Sequence, residues 1–176
     1  SGLRSISLRY FNVSGAELNG KMGENKKSPS NLMTMAIYAA LSKLDSLKVF
    51  GNDYDTPDGT GIRDYIHVED IASGHVGALN YLQEKKKTEI FNLGTGVGYS
   101  VLEVIKAVEK ASEKSIPLVI EARRSGDLAV SVANPSRANK ILDWKAKYSL
   151  NDMAKSAWLW HSTHPKGYNG GKEVGR

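Results

Sequence analysis

The residues of this chain best suited to bind an anion are arginines that follow or precede glycines at loop boundaries. Arg63 lies in the stretch Gly59-Thr60-Gly61-Ile62-Arg63-Asp64, which predicts a glycine-hinged loop leading into a short strand over 64–68. A guanidinium held at such a boundary presents a fixed fork of N–H donors to a phosphate or a carboxylate. The alternative is an arginine in an ordinary surface ion pair, and Arg63 alone does not decide between them.

A second candidate is the stretch Arg123-Arg124-Ser125-Gly126-Asp127, which follows a predicted strand over 117–121. Two arginines, a glycine and a carboxylate so close together could hold a phosphate and a sugar diol at once. A charged surface loop is the competing interpretation.

A glycine-rich turn, Gly94-Thr95-Gly96-Val97-Gly98, joins a predicted strand over 89–93 to a helix that starts at the capping box of Ser100 and Glu103. Glycines between a strand and a helix can let backbone approach a phosphate. However, the spacing is not that of the dinucleotide fingerprint, and no acidic residue placed to bind a ribose follows a second strand about twenty positions on. We therefore predict a tight turn near a ligand rather than the pyrophosphate loop of an NAD site.

The remaining elements place these stretches in an α/β arrangement. A buried strand is predicted over 5–11, followed by a long loop from Asn12 to Ser30. Ligands in open α/β sheets lie outside the carboxyl ends of strands, so the end of this strand is a candidate site. A helix is predicted to start near Asn31-Leu32, where free N–H groups favour an anion. The sequence also predicts a strand over 47–50, a helix over 68–82, a short helix capped by Asn134-Pro135, and a last helix capped by Ser149 and Asp152 that stops near 164–165.

Composition limits the possible classes of protein. The chain has 176 residues, 40% apolar and 24% charged, which is ordinary for a globular domain. The absence of cysteine excludes disulfides and thiolate metal sites, and we expect no metal centre. No apolar run is long enough to span a membrane. The net charge of +5 suits an anionic ligand as well as nucleic acid, but the lysine run 85–87 is typical of a solvated turn.

Several stretches, in order from about Ile6 to Tyr168, together resemble the UDP-glucose 4-epimerase family, a branch of the extended short-chain dehydrogenases/reductases. They are Arg9-Tyr10-Phe11-Asn12, Asn31-Leu32-Met33, Phe50-Gly51-Asn52-Asp53-Tyr54, Gly59 to Asp70, Asn92-Leu93-Gly94-Thr95-Gly96 and Arg123-Arg124-Ser125-Gly126-Asp127. Unrelated motifs in register are far more specific than any one of them alone.

The resemblance covers only the C-terminal half of the family. The other half carries the Rossmann glycine fingerprint, the catalytic Ser/Thr and a Tyr-x-x-x-Lys pair, so we expect no catalytic residue in this chain. Tyr81 with Lys85, at the end of a helix, and Tyr168 with Lys172, across a glycine pair, have the Tyr-x-x-x-Lys spacing by chance. The resemblance implies that this half anchors the UDP of a UDP-sugar and that NAD is bound mostly by the absent half.

The resemblance also implies the residues of the site. Tyr10 is expected beside the nicotinamide of NAD. The substrate-binding positions implied are Phe11 and Asn12 by the sugar and diphosphate, Asn31 and Leu32 at a helix N-terminus, Lys48, Val49 and Phe50 around the uracil, Arg63 and Arg124 on the diphosphate, Asp127 on the ribose hydroxyls, Val101 in the same pocket, and Ser131. His67 and Asp70 belong to the family pattern, and we interpret them as structural.

Two departures from the family pattern affect these expectations. Val13-Ser14 stands where many members have a proline and a small residue, so the backbone there is expected to differ slightly. Ser131 stands where some relatives carry a tyrosine that closes the sugar pocket. We therefore predict that the full-length enzyme also accepts N-acetylated UDP-sugars, unless a neighbouring side chain fills the space.

The expected fold is α/β: the C-terminal substrate-binding part of an extended short-chain dehydrogenase/reductase, with a remnant of the Rossmann sheet at 5–11. We expect one region over 1–168 and a disordered tail over 169–176. The expected partners are a UDP-sugar, the absent N-terminal half and a second copy in a full-length homodimer, in the cytoplasm, without nucleic acid or membrane. The alternatives are a nucleotide-sugar dehydratase or decarboxylase fragment and a basic nucleic-acid-binding module. The latter lacks any recognised binding motif.

Overall fold

The computed structural model describes residues 2–85 and 87–168. Its elements are β1 (Ile6–Tyr10), β2 (Asn12–Ser14), α1 (Leu32–Ala40), β3 (Leu47–Phe50), β4 (Ile62–His67), α2 (Val68–Lys85), β5 (Glu89–Leu93), β6 (Gly98–Ser100), α3 (Val101–Ser112), β7 (Leu118–Glu121), β8 (Val130–Ser131), α4 (Ser136–Ile141) and α5 (Leu150–Thr163). The α/β class predicted from the sequence is confirmed. The tail predicted at 169–176 lies outside the described residues. None of the helices in the described ranges is both long and apolar enough to cross a membrane.

Within residues 2–85 and 87–168 the strands form three small sheets. β1 pairs with β5 and β3 pairs with β7, both in parallel. β4 is the central strand of the third sheet: its C-terminal half pairs in parallel with β2, and its N-terminal half pairs with β6 and β8. Because β4 reaches three neighbours, side chains along it are held at fixed positions relative to the loops that follow those neighbours.

Two apolar cores hold these sheets. The larger lies where α1, α3 and α5 pack on β3 and β4, and it includes Met33, Ile37, Val108 and Met153. The smaller lies between α2, β5 and α4, around Phe91 and Trp144. Full burial of such side chains contributes about 1.5–3 kcal/mol each, so the helices are held mainly by their apolar faces.

The helix starts that sequence capping signals predict are confirmed for α1, α3 and α5, whereas α4 begins one residue later than Asn134-Pro135 predicts. Asn31 caps α1, since its side-chain oxygen accepts from the Thr34 N–H. Complete capping boxes begin α3 and α5. At α4 the Asn134 side chain accepts from the Ser136 N–H, while Pro135 occupies the cap position itself.

Three short strands were missing from the sequence prediction. The loop expected from Asn12 to Ser30 begins with β2, and β6 and β8 lie in segments expected to be turn or loop. Each has two or three residues and is defined by pairing with β4, which leaves no periodic signal in the sequence. The strand predicted over 64–68 is also longer at its start, because Ile62 and Arg63 pair with β8.

Candidate functional site

A cavity of about 870 Å³ opens between the N-terminus of α1, strand β3 and the loops around residues 61 and 124. It brings together most of the positions expected to bind substrate. Those that line it are Phe11, Asn12, Asn31, Leu32, Lys48, Val49, Phe50, Arg63, Val101, Arg124 and Asp127. Residues far apart in the sequence therefore form one site.

Two expected positions do not line this cavity. Tyr10 lies at the end of β1, half-exposed, and its hydroxyl is hydrogen-bonded to His75 Nε2 at 2.8 Å. Ser131 lies on β8 in register with Arg63. Residues paired across neighbouring strands point to the same face, so Ser131 shares the face of Arg63 at the margin of the cavity.

The cationic side of the cavity consists of Arg63 and Arg124 with Asp127 between them. Asp127 Oδ1 lies 3.9 Å from Arg63 Nη2, and Asp127 Oδ2 lies 3.1 Å from Arg124 Nε. Arg63 also donates to the Ile62 carbonyl at 2.8 Å, which fixes its fork. Gly126 has a φ of 84°, a value that favours glycine, and the turn it permits brings Asp127 back beside Arg124.

Neighbouring Arg123 has a different role, which its sequence context did not reveal. Its Nε donates to Asp53 Oδ1 at 2.6 Å, and its guanidinium lies 4.1 Å from the centre of the Tyr54 ring. Arg124 instead lies over the Phe50 ring at 4.5 Å. Arg123 therefore fastens the loop to residues 53–54, while Arg124 is the arginine that faces the cavity.

Strand β3 forms the wall expected to hold the uracil. Val49 is 1% exposed and its side chain belongs to the larger core, although the residue also lines the cavity. Lys48 Nζ is bound to Glu121 Oε1 at 3.0 Å across the β3–β7 pair. Phe50 lines the same wall, and its ring lies under the Arg124 guanidinium. The contact of this wall with uracil, partly through backbone groups, stays a prediction.

Tyr65 lines the cavity but was not among the predicted residues. Burial raises the pKa of Tyr65 to about 12, against the opposing influence of Arg63 and Asn12. Its phenol is therefore neutral at physiological pH and can exchange hydrogen bonds but cannot act as a base. A buried tyrosine inside a strand is indistinguishable in sequence from an ordinary core residue.

The glycine-rich turn over 94–98 binds a carboxylate of the chain itself. The fully buried Asp64 accepts from the Thr95 N–H, the Thr95 hydroxyl, the Gly96 N–H and the Ala133 N–H at 2.7–3.2 Å. These N–H groups are therefore used within the protein. The prediction of a tight turn rather than a pyrophosphate loop is confirmed.

The interpretation of His67 and Asp70 as structural is also confirmed. The fully buried His67 bonds through Nε2 to Ser156 Oγ at 3.0 Å and accepts the Glu69 N–H at Nδ1. Asp70 accepts the N–H groups of residues 147 and 148. Of the rejected Tyr-x-x-x-Lys pairs, Tyr81 packs edge-on against the Phe91 ring, and Lys172 lies outside the described residues.

Comparisons with known proteins now identify the family. Residues 1–94 match the family model of the NAD dependent epimerase/dehydratase family. The chain belongs to that family. It is 52% identical over 166 residues to the UDP-glucose 4-epimerase of Dictyostelium discoideum, which covers 93% of this chain and 48% of that protein.

Solved structures agree with this assignment. The UDP-glucose 4-epimerase of Bifidobacterium longum in complex with NAD+ and UDP matches 95% of this chain and 50% of its own, with a TM-score of 0.90 and 48% identity. That of Stenotrophomonas maltophila, with bound NAD and formylated UDP-arabinopyranose, matches 94% of this chain and 50% of its own, with a TM-score of 0.90 and 45% identity. The chain thus spans about half the length of the relatives it matches.

Proposed function

We propose that this chain is the UDP-sugar-binding half of a UDP-glucose 4-epimerase, which interconverts UDP-galactose and UDP-glucose through a 4-keto sugar. The observation that carries the proposal is that Arg63, Arg124 and the N-terminus of α1 meet at one cavity. Two fixed guanidinium groups and a helix N-terminus are the groups that bind a diphosphate. Structures of similar proteins hold UDP or a UDP-sugar.

The role of this half would be to position the substrate. Arg63 and Arg124 hold the diphosphate, β3 offers backbone groups to the uracil, and Asp127 accepts from the ribose hydroxyls. With the nucleotide fixed, the sugar can turn over and present either face to the reacting groups. The proton-transfer groups lie in the half that this chain does not match.

The residues present here fit NAD only at its edge. Tyr10, half-exposed at the end of β1, would contact the cofactor, whereas the Thr95 and Gly96 N–H groups of the 94–98 turn donate to Asp64. When bound, NAD would supply hydride exchange at C4 of the sugar. The same proposal assigns most of the NAD-binding groups to the half that this chain does not match. It also includes the rest of a Rossmann sheet continuing from β1, a homodimer of the whole protein and a cytoplasmic location.

Calorimetric titration of the 176-residue chain with UDP tests the proposal. We expect saturable binding that Arg63→Ala and Arg124→Ala each weaken about tenfold, since each removes a charged hydrogen-bonding group from the phosphates. Arg137→Ala is the matched control, because Arg137 pairs with Glu89 away from the cavity. A wild-type chain that does not bind UDP, or a control that weakens binding equally, would overturn the assignment.

A coupled assay with NAD and UDP-galactose tests the division of labour between the halves. We expect this chain alone to give no turnover above background, because no credible Tyr-x-x-x-Lys pair is present. Turnover by the purified chain would contradict the proposal that it is only the substrate-binding half.

A filter-binding salt series tests the alternative that the chain binds nucleic acid, since phosphate-driven binding falls steeply with salt.

A further inference from the structure

Glu24 lies directly behind the N-terminus of α1, on the side away from the proposed phosphate site. Asn31 Nδ2 donates to both of its carboxylate oxygens, at 2.9 and 2.8 Å, and the Thr34 hydroxyl donates to Oε2. Lys26 Nζ lies 3.2 Å from Oε1. Glu24 faces a second cavity, of about 750 Å³, and Asn31 lines both cavities, as do Val13 and Ser14.

These contacts engage both the oxygen and the nitrogen of the Asn31 side-chain amide. Its oxygen accepts the Thr34 N–H at 2.9 Å, and its nitrogen is bound to Glu24. At the N-terminus of α1, what remains for a ligand in the first cavity is backbone, namely the N–H of Leu32, since Met33 lines the second cavity. The direction of this N–H depends on the orientation of the cap, which Glu24 fixes from behind.

Glu24 is itself anchored to the last helix. The Trp160 indole donates to the Glu24 carbonyl at 2.9 Å, and the Gly23 N–H donates to the Tyr168 hydroxyl at 3.0 Å. Trp160 is completely buried. Burial raises the pKa of Glu24, but hydrogen bonds from Thr34 and Asn31 and the charge of Lys26 outweigh it and lower the pKa overall. The carboxylate therefore stays ionised at neutral pH and keeps accepting from the amide.

We propose that Glu24 is a positioning residue for the phosphates of the ligand: it acts through Asn31 to hold the N-terminal turn of α1 toward the diphosphate without touching it. This inference rests on the proposed function. Removing Glu24 frees the Asn31 amide to rotate, so the Leu32 N–H loses its alignment. None of these hydrogen bonds involves a residue of β3, so the uracil wall is expected to keep its geometry.

The test compares ligands with and without phosphates. Affinities for UDP and for uridine are measured by titration and by ligand-observed NMR on the wild-type chain and on Glu24→Gln. In this variant the glutamine amide nitrogen, a donor, replaces a carboxylate oxygen that accepts from Asn31 or Thr34. We expect UDP affinity to fall about tenfold, as for loss of a hydrogen bond to a charged group, and uridine affinity to stay unchanged. A purely structural role would weaken both ligands alike.

Glu69→Gln is the matched control. Glu69 is a carboxylate on the wall of the same second cavity, but it accepts from the Leu18 N–H at 3.1 Å instead of holding Asn31. We expect it to change neither affinity. If Glu24→Gln does not fold, Thr34→Val removes one donor to Glu24 at constant shape, and a smaller loss of about twofold to threefold, confined to UDP, is expected.

The outcomes separate the two proposals. Absence of UDP binding by the wild-type chain would overturn the proposed function. If the wild-type chain binds UDP but the Glu24 and Thr34 variants that fold lose nothing, or lose UDP and uridine affinity in equal proportion, the positioning role is overturned and the proposed function stands.

Discussion

At the scale of single residues, the carboxylates of this chain have distinct tasks that their sequence positions do not distinguish. Asp64 and Asp127 both belong to motifs shared with the family, yet Asp64 is fully buried and Asp127 lies among arginines. The sequence predicts a binding role for Asp127 because two arginines and a glycine lie just before it. Sequence reasoning missed Asp64 and Glu24, whose partners are backbone groups or distant residues brought together only by folding.

Asp64→Asn is expected to destabilise the chain severely. The carboxylate accepts from the Gly96 and Ala133 N–H groups through Oδ2, and an amide nitrogen there would face donors with a donor. Leaving such buried groups unsatisfied costs about 1–3 kcal/mol each. Denaturant unfolding of the variant measures the loss. Asp53→Asn, which changes an exposed ion pair with Arg123, should lose less than about 1 kcal/mol, and equal losses in the two variants would contradict this account.

Ser131 supports a prediction about substrate breadth. It shares a strand face with Arg63, at the margin of the cavity, so a bulky side chain there would extend over the site that a sugar would occupy. We predict that the full-length enzyme accepts UDP-N-acetylglucosamine as well as UDP-glucose. We also predict that Ser131→Tyr lowers the ratio of the kcat/KM for UDP-N-acetylglucosamine to that for UDP-glucose about tenfold, because the larger side chain excludes the N-acetyl group.

The matched control for Ser131→Tyr is Val130→Tyr, which adds the same ring at the other residue of β8, exposed and pointing to the opposite face of the strand. It should leave the ratio unchanged. If Ser131→Tyr also leaves the ratio unchanged, a neighbouring side chain fills the space and Ser131 does not control access.

At the scale of elements, the sequence predicts most of what periodicity and capping determine. α1, α3 and α5 start where Asn31, Ser100 and Ser149 indicate, because a cap is a local hydrogen bond between residues three apart. β3 and β5 match their predicted ranges, 47–50 and 89–93. β2, β6 and β8 could not be predicted, since pairing with β4 rather than any local pattern makes them strands.

The end of β4 is joined to α5 by His67, which makes the stability of this contact depend on pH. His67 Nδ1 accepts the Glu69 N–H, so its Nε2–H donates to Ser156 Oγ and the ring is neutral. Burial lowers the pKa of His67 below 6.5, although Glu69, Asp70 and Asp152 raise it. As the pH falls, His67 is therefore protonated at a higher pH in the unfolded chain than in the folded chain.

The sign of the resulting pH dependence follows from this order of protonation. The contribution of His67 is fully present above about pH 6.5, and it is lost as the pH falls through the lower pKa of the folded chain. We expect the free energy of unfolding to decline as the pH falls below about 6.5. His67→Gln should flatten this decline in a series of denaturant titrations. An unchanged slope in the variant would assign the pH dependence to other groups.

At the scale of the whole molecule, the chain spans about half the length of the relatives it matches, and its described residues include an open strand edge and exposed apolar side chains. Among the described strands, β1 pairs only with β5, so its other edge offers free N–H and C=O groups. Val76 and Leu79 of α2 are 60% and 54% exposed, and Ile90 of β5 is 45% exposed. Open edges beside apolar surface favour association.

We therefore predict that the isolated chain self-associates in a concentration-dependent way. Sedimentation equilibrium over a range of concentrations would measure it. Val76→Lys and Leu79→Lys, on one face of α2 because they are three positions apart, should shift the equilibrium toward monomer by adding charge to the contact surface. Leu128→Lys places the same charge at a side chain 63% exposed in the loop before β8, remote from that face, and should change nothing. If the wild-type chain is a monomer at every concentration, the exposed strand edge and the α2 face do not drive association, and the prediction is wrong. If instead all three variants dissociate the assembly equally, net charge rather than this surface controls it.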